Sequence, residues 1–133
     1  MNNTPKTCPL LFIVDDNPLF GDLIVNAAHK GGYEPYSILS GQGLLDRLSE
    51  RPDVIVLDIS MPEMDGIDVI EALAKAQYRG RLILCSGFLP DTIDAAADIA
   101  KGSGLNLVGT IIKPFRVAQL LKLLASPVSD ETA

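Results

Sequence analysis

The sequence has little of what marks several large classes of protein. It has no tryptophan, one histidine and two cysteines, and aromatic residues make up only 5% of its 133 residues. Lys and Arg number 11 against 17 Asp and Glu, so the net charge is −6. This charge disfavours a nucleic-acid surface, because duplex affinity depends on clustered basic side chains.

Membrane and secretory features are absent from the sequence as well. No apolar run approaches the roughly 20 residues that a transmembrane helix requires, and the N-terminal residues lack the pattern of a secretory signal. Cys8 and Cys85 show no metal-ligand spacing and are expected to be reduced. We therefore expect a cytoplasmic protein that binds neither membrane nor nucleic acid.

Apolar residues are plentiful, at 47% of the chain, which is enough for the core of a single domain. We expect this domain over residues 9–125, with flexible tails over residues 1–8 and 126–133. Five short apolar runs mark candidate strands, and their apolar residues are mostly continuous, as in parallel strands covered on both faces. The second run is the most polar and should be an edge strand. The runs span residues 10–14, 36–39, 54–57, 82–85 and 107–112.

Helical patterns separate these runs. The first follows residue 18 and ends at a glycine pair, and the second contains three leucines at helical spacing. The third opens at Asp65, the fourth is rich in alanine, and the fifth is expected to begin at Pro114, since proline suits a first helical position. We predict an α/β fold: a doubly wound, five-stranded parallel sheet with five helices, for which the flavodoxin-like strand order is 2-1-3-4-5.

Carboxylates follow two strands that this order makes neighbours. Asp15 and Asp16 follow the first strand and Asp58 follows the third, so all three should meet at the carboxyl edge of the sheet, where such folds bind ligands. Three clustered carboxylates repel each other and are stabilised by a cation. Because all the ligands are oxygen atoms, Mg²⁺ or Mn²⁺ is favoured over zinc.

Two further side chains at this edge suit a phosphoryl group. Lys113 follows the fifth strand and supplies a positive charge, while Ser86 follows the fourth and supplies a hydroxyl donor. An aspartate carboxylate can attack phosphorus to form an acyl phosphate. Each of these residues could separately be a helix cap, a turn residue or a solvated charge, but their shared position favours one site.

The motifs resemble the receiver domain of bacterial two-component response regulators. The resemblance rests on four elements in order over nearly the whole chain: Val14-Asp15-Asp16-Asn17-Pro18, Asp58-Ile-Ser-Met-Pro-Glu-Met-Asp-Gly66, Ser86-Gly87 and Lys113-Pro114-Phe115. It implies that Asp58 accepts a phosphoryl group from a histidine kinase or a histidine phosphotransfer protein. Such a domain is a signalling module that catalyses only its own phosphoryl transfer and slow dephosphorylation.

The resemblance also implies roles for the surrounding residues. Asp16 would bind Mg²⁺ directly, Asp15 would do so weakly or through water, and Asp58 and the main-chain carbonyl of Ser60 would complete the protein ligands. Lys113 would contact the phosphoryl group through a loop with a cis Lys113-Pro114 bond, and Ser86 would move to hydrogen-bond the same group.

One position departs from the family pattern. Receivers commonly carry an aromatic switch residue three positions before the lysine, whereas this chain has Thr110. A threonine cannot bury a ring, so signal output through the fourth helix, fifth strand and fifth helix is expected to differ. A phosphorylation-dependent dimer through that face is one possible output.

Other interpretations remain at this stage. The chain ends soon after the fifth helix, so we expect either a stand-alone receiver with a partner protein or the receiver of a longer regulator with an output domain. A faint similarity over residues 104–115 favours a cyclic-di-GMP phosphodiesterase as that regulator. A flavodoxin-like electron carrier and an aspartyl-phosphate phosphatase are less favoured, because adjacent acids after the first strand suit neither a flavin phosphate nor an Asp-x-Asp nucleophile.

Overall fold

Strands and helices alternate along the chain. The computed structural model describes residues 8–60, 66–87 and 90–125. The expected tails, apart from Cys8, and Asp65 at the expected start of the third helix lie outside these ranges. The strands are β1 (Leu10–Val14), β2 (Glu34–Ile38), β3 (Val54–Asp58), β4 (Arg81–Ser86) and β5 (Asn106–Ile112). The helices are α1 (Pro18–Lys30), α2 (Gly41–Asp46), α3 (Gly66–Lys75), α4 (Pro90–Gly102) and α5 (Val117–Leu124).

All five strands form one parallel sheet in the order β2-β1-β3-β4-β5. The predicted fold class and strand order are therefore confirmed, and β2 is an edge strand as expected. In the register of the central pairs, Val14 lies beside Leu57, and Asp58 lies beside Cys85. This register brings the ends of β1, β3 and β4 to the same edge of the sheet.

Two apolar layers cover the sheet, one on each face. Alternate residues of the central strands, such as Phe12 and Leu57, pack with residues of α2, α3 and α4. The intervening residues, such as Ile13 and Val56, pack with residues of α1 and α5. Because the central strands are buried on both faces, their sequences are continuously apolar rather than alternating.

The start of α5 differs from the prediction. The helix begins at Val117 rather than at Pro114, and the Lys113-Pro114 peptide bond is cis, as the family resemblance implied. Arg116 has extended backbone angles and is the N-cap, and its N–H donates to the side chain of Gln119 at 2.9 Å. Capping thus occurs after the proline, so Pro114 belongs to the connecting loop.

Two smaller boundaries also differ. Strand β2 includes Glu34 and Pro35 and ends before Leu39, which is half exposed; proline is tolerated there because an edge strand has one unpaired side. Leu48 lies in a short 3₁₀ turn after α2 rather than in the helix itself.

Helix α1 approaches β2 closely at one point. A Cβ atom on Gly21 would collide with the Ser37 side chain, so glycine is required for this distance between helix and strand. The contact fixes the N-terminal half of α1, which carries residues of the site described below. None of the helices in the described ranges has the length and apolar character needed to cross a bilayer.

Candidate functional site

The three predicted carboxylates meet at the carboxyl edge of the sheet. Asp58 is the last residue of β3, and Asp15 and Asp16 directly follow β1. One carboxylate oxygen from each lies within 4.8 Å of the others. The side chains of Asp15 and Asp58 are only 1% and 3% exposed, whereas Asp16 is exposed to solvent. The cluster therefore has two buried members and one that faces water.

Lys113 lies between the two buried carboxylates. Its Nζ is 2.6 Å from Asp15 Oδ2 and 3.1 Å from Asp58 Oδ2. Burial by itself would lower the pKa of Lys113, but the hydrogen bonds to Asp15 and Asp58 outweigh this effect and raise the pKa. The lysine is thus a fixed positive charge that compensates part of the negative charge of the cluster.

Asp15 is held by the backbone that leads into α1. Its Oδ1 accepts a hydrogen bond of 2.9 Å from the N–H of Asn17, and Asn17 in turn caps the helix by accepting from the N–H of Leu19 at 3.1 Å. Burial raises the pKa of Asp15, and the charge of Asp58 adds to this, although the bonds from Lys113 and Asn17 oppose it. Helix capping is therefore the role of Asn17, which leaves both acids beside it for the site.

Asp58 is oriented by Ser60. Both the N–H and the hydroxyl of Ser60 donate to Asp58 Oδ1, at 2.8 and 2.5 Å. The Ser60 hydroxyl also accepts a hydrogen bond of 3.4 Å from the N–H of Gly87. The sequence singled out only the main-chain carbonyl of Ser60, and these donor contacts were missed, although an Asp-x-Ser sequence is typical of a side chain that bonds to the backbone two residues later.

Ser86 reaches the same edge at the end of β4. It is fully buried, and its main-chain oxygen accepts a hydrogen bond of 2.8 Å from the N–H of Lys113. Its neighbour Cys85 lies beside Asp58 in the sheet. Burial, followed by the charge of Asp58, raises the pKa of the Cys85 thiol, so this cysteine is an inert core residue rather than a nucleophile.

An aromatic pair adjoins the lysine. The Lys113 Nζ lies 4.4 Å from the centre of the Phe20 ring, which in turn meets Phe115 edge to face, with ring centres 5.6 Å apart and planes at 89°. From the sequence, Phe20 could be recognised only as an apolar residue of α1. No spacing rule connects it with a lysine that lies 93 positions further along the chain.

Thr110 does not join the site's carboxylates. It is exposed on β5, opposite Leu84 of β4. It lies at the edge of two surface grooves of about 480 and 330 Å³, one bordered by α4 and the other by α5. The position at which receivers commonly carry an aromatic ring is therefore occupied here by a small polar residue at the surface between these helices.

The donor set fits a hard divalent cation. Three carboxylate oxygens within 4.8 Å are suitable ligands for Mg²⁺ or Mn²⁺. The chain's single histidine, His29, is exposed in the last turn of α1, and Cys85 is buried in the sheet. The described site therefore offers none of the nitrogen or sulfur ligands that zinc prefers.

Comparison with known proteins agrees with this geometry. The family model described as "Response regulator receiver domain" matches residues 11–125. The chemotaxis protein CheY of Bacillus subtilis is 30% identical over 118 residues, which cover 86% of this chain and 92% of CheY. The DNA-binding transcriptional activator EvgA of Escherichia coli is 32% identical over 103 residues, which cover 71% of this chain and 50% of EvgA.

A solved structure shows the same fold. A response regulator from Colwellia psychrerythraea superposes with a TM-score of 0.76 at 32% identity, covering 86% of this chain and 93% of its own. The family match extends from β1 to the end of α5, so it includes every strand of the sheet and every residue of the site. The chain therefore belongs to the response regulator receiver domain family.

Proposed function

We propose that Asp58 is the phosphoacceptor of a two-component phosphorelay. The observation that supports this most directly is the position of the Asp58 carboxylate, which is buried at the end of β3, 3.1 Å from the Lys113 ammonium and beside two further carboxylates. Membership of the receiver family agrees with a role in two-component signalling. It does not favour the electron-carrier or phosphatase interpretations.

In the proposed reaction, one oxygen of Asp58 forms a bond to the phosphorus of a phosphohistidine. The bond between phosphorus and the histidine nitrogen breaks, and the imidazole leaves with the electron pair. Ser60 keeps the carboxylate in place through its two hydrogen bonds. Lys113 supplies positive charge next to the incoming phosphoryl oxygens, so the main work of the site is positioning and charge neutralisation.

Asp15, Asp16 and Asp58 are the proposed ligands of Mg²⁺ or Mn²⁺, together with the main-chain carbonyl of Ser60. The bound cation would neutralise negative charge on the transferred phosphoryl group. Asp16 is suited to a direct contact because it is exposed, whereas Asp15 already bonds to Lys113 and Asn17. These contacts agree with a weaker or water-mediated role for Asp15.

The donor and the output belong to the same proposal. A histidine kinase or histidine phosphotransfer protein supplies the phosphoryl group, and Ser86 moves to bond it. The phosphorylated domain then contacts a partner protein, an output domain or a second receiver. The match to half of EvgA indicates that related receivers occur within longer regulators, and a cyclic-di-GMP phosphodiesterase remains a candidate for such a regulator.

Mass spectrometry of the intact protein tests the assignment. The protein is incubated with acetyl phosphate in the presence and absence of Mg²⁺, and the addition of one phosphoryl group is measured. Asp58→Asn should abolish the addition, as should chelation of the cation. Asp68→Asn is the matched control, because Asp68 is an exposed acid in the first turn of α3, and it should leave the addition unchanged.

Two results would overturn the proposal. One is a phosphoryl group that still appears in Asp58→Asn at the rate seen in the unsubstituted protein. The other is equal labelling with and without divalent cation, which would show that the carboxylate cluster does not take part in the transfer.

A further inference from the structure

We propose that Phe20 is a positioning residue for Lys113, whose ring holds the ammonium beside Asp58 when Asp15 serves as a cation ligand. This inference rests on the proposed function of Asp58. It adds a residue of α1 to the phosphorylation site, and the sequence motifs of the site do not include that residue.

The contact itself has the geometry of a cation–π interaction. The Lys113 Nζ lies 4.4 Å from the centre of the Phe20 ring, well inside the separation of about 6 Å at which the ring quadrupole attracts a cation. The Lys113 side chain is 24% exposed, so the contact is partly shielded from water. Desolvation strengthens such contacts.

Lys113 needs this third contact because its other two partners have a second role. Asp15 is the nearest ion-pair partner of the ammonium, at 2.6 Å, and it is also a candidate cation ligand. A carboxylate that ligates a divalent cation attracts the ammonium less, since its charge is already compensated. Asp58, the other partner, loses negative charge on its attacking oxygen when the acyl phosphate forms.

The Phe20 ring does not compete for the cation. Hard divalent ions take oxygen ligands, so a phenyl ring remains available to the ammonium at every stage of the reaction. Of the three contacts that described residues make with the Lys113 ammonium, it is the only one that neither cation binding nor phosphorylation changes in charge. The ring therefore helps to hold the ammonium beside Asp58 after the cation binds and before the phosphoryl oxygens arrive to attract it.

Phe20 is itself held in place from two sides. Phe115 meets its ring edge to face at 5.6 Å, an arrangement that is favourable for aromatic pairs. Helix α1 is anchored at its start, where Asn17 caps the helix and donates its N–H to Asp15. The same helical turn thus orients one ion-pair partner of Lys113 and carries the ring that contacts it.

Two substitutions distinguish the effect of the aromatic face of Phe20 from that of its apolar volume, and a third is a control. Phe20→Leu keeps an apolar side chain and removes the π face, whereas Phe20→Tyr keeps the face. Leu19→Ala is the matched control, since Leu19 is the preceding residue of α1 and is 79% exposed. Thermal unfolding of each variant establishes that it is folded.

The first measurement is spectroscopic and does not depend on phosphorylation. The ε-methylene protons of Lys113 should show an upfield ring-current shift in the NMR spectrum, both without and with Mg²⁺, and their signal is assigned by its loss in Lys113→Met. We expect Phe20→Leu to abolish the shift and Phe20→Tyr and Leu19→Ala to retain it. Absence of the shift in the unsubstituted protein with Mg²⁺ would overturn the proposal.

The second measurement is the phosphorylation rate with acetyl phosphate at saturating Mg²⁺. The loss of one cation–π contact should lower the maximal rate of Phe20→Leu by about 3- to 10-fold, with a smaller change in the donor concentration at half-saturation. Phe20→Tyr and Leu19→Ala should remain within about twofold of the unsubstituted protein. An unchanged maximal rate in a folded Phe20→Leu protein would refute the positioning role.

Failure of the underlying function would look different. If Asp58 is not the phosphoacceptor, every variant, including the unsubstituted protein, will lack labelling at Asp58. The ring-current shift with Mg²⁺ would then still decide whether Phe20 holds the ammonium when the cation is bound. Its persistence would support that part of the proposal, and its loss would contradict it.

Discussion

Removal of the Lys113 charge should destabilise the domain in a way that a divalent cation reverses. In Lys113→Met the apolar stem of the side chain is kept, while Asp15 and Asp58 lose the ammonium at 2.6 and 3.1 Å. Removing one partner of a fully buried ion pair costs about 3–5 kcal/mol. Because Lys113 is 24% exposed, we expect the smaller loss of about 2–3 kcal/mol in the free energy of unfolding.

Urea unfolding at neutral pH measures this loss, first in a chelator and then across a series of Mg²⁺ concentrations. In chelator, the carboxylates repel each other without compensation, so the variant unfolds at a lower urea concentration. Mg²⁺ should raise the unfolding free energy of the variant by more than it raises that of the unsubstituted protein. The reason is that binding to the folded state adds a stabilisation that grows with the logarithm of the Mg²⁺ concentration relative to its dissociation constant. This constant should be smaller in the variant, because Asp15 no longer holds a competing ammonium.

Lys101→Met provides the matched control. It makes the same change at an exposed lysine in the last turn of α4, and we expect a loss of at most about 0.5 kcal/mol with no dependence on Mg²⁺. If Lys113→Met loses no more stability than this control in chelator, the lysine does not compensate the buried carboxylates. Equal Mg²⁺ stabilisation of the Lys113→Met and unsubstituted proteins would refute competition between ammonium and cation.

Three further predictions concern stability away from the site. Within the described residues, the buried Ser37 hydroxyl has no hydrogen-bond partner, so Ser37→Ala should raise the free energy of unfolding by about 1 kcal/mol. The Cβ atom that Gly21→Ala adds would collide with Ser37, so this variant should lower the free energy of unfolding by about 1–3 kcal/mol. Urea unfolding tests both, and a stabilising Gly21→Ala would contradict the close approach of α1 to β2. Burial, followed by the charge of Asp53, raises the pKa of Tyr78, whose hydroxyl donates to main-chain oxygens at 3.1 Å. The unfolded chain releases this proton first, so stability should fall as the pH rises above about 10, and Tyr78→Phe should show a shallower decline in alkaline urea titrations; an identical slope would contradict the burial of the hydroxyl.

Strand positions followed from the sequence because of how the sheet is buried. A parallel strand covered on both faces must be apolar at nearly every position, and β3 and β4 have this pattern from Val54 to Leu57 and from Leu82 to Cys85. The pattern is weaker at the edge, where one side of the strand is unpaired. There Leu39 was wrongly included in β2, and Pro35 was wrongly left out.

The predicted start of α5 was wrong because proline suits two different places in a chain. A fixed φ angle suits both a first helical position and a turn, and the sequence around Pro114 does not distinguish them. The N–H of Arg116 decides the outcome, since it bonds to the side chain of Gln119 and makes Arg116 the cap. Such a contact depends on the path of the preceding loop, which the local pattern does not specify.

The strand order predicts the meeting of Asp15 with Asp58 but not their contact with Lys113. Strands β1 and β3 are neighbours, so their carboxyl ends adjoin directly. Strand β5 is three positions from β1 in the sheet, which corresponds to roughly 14 Å at about 4.8 Å per strand. The contact of 2.6 Å between Lys113 and Asp15 therefore depends on the length of the lysine side chain, because the Lys113 N–H, at the start of the loop after β5, still bonds to Ser86 of β4. Phe20 and Phe115 meet where this loop reaches α1, so the packing that brings the lysine to the carboxylates also gives it an aromatic neighbour. Residues that reach a site through a loop and a facing helix lack the strand-end position that revealed the acids, and they become identifiable only when the chain is folded.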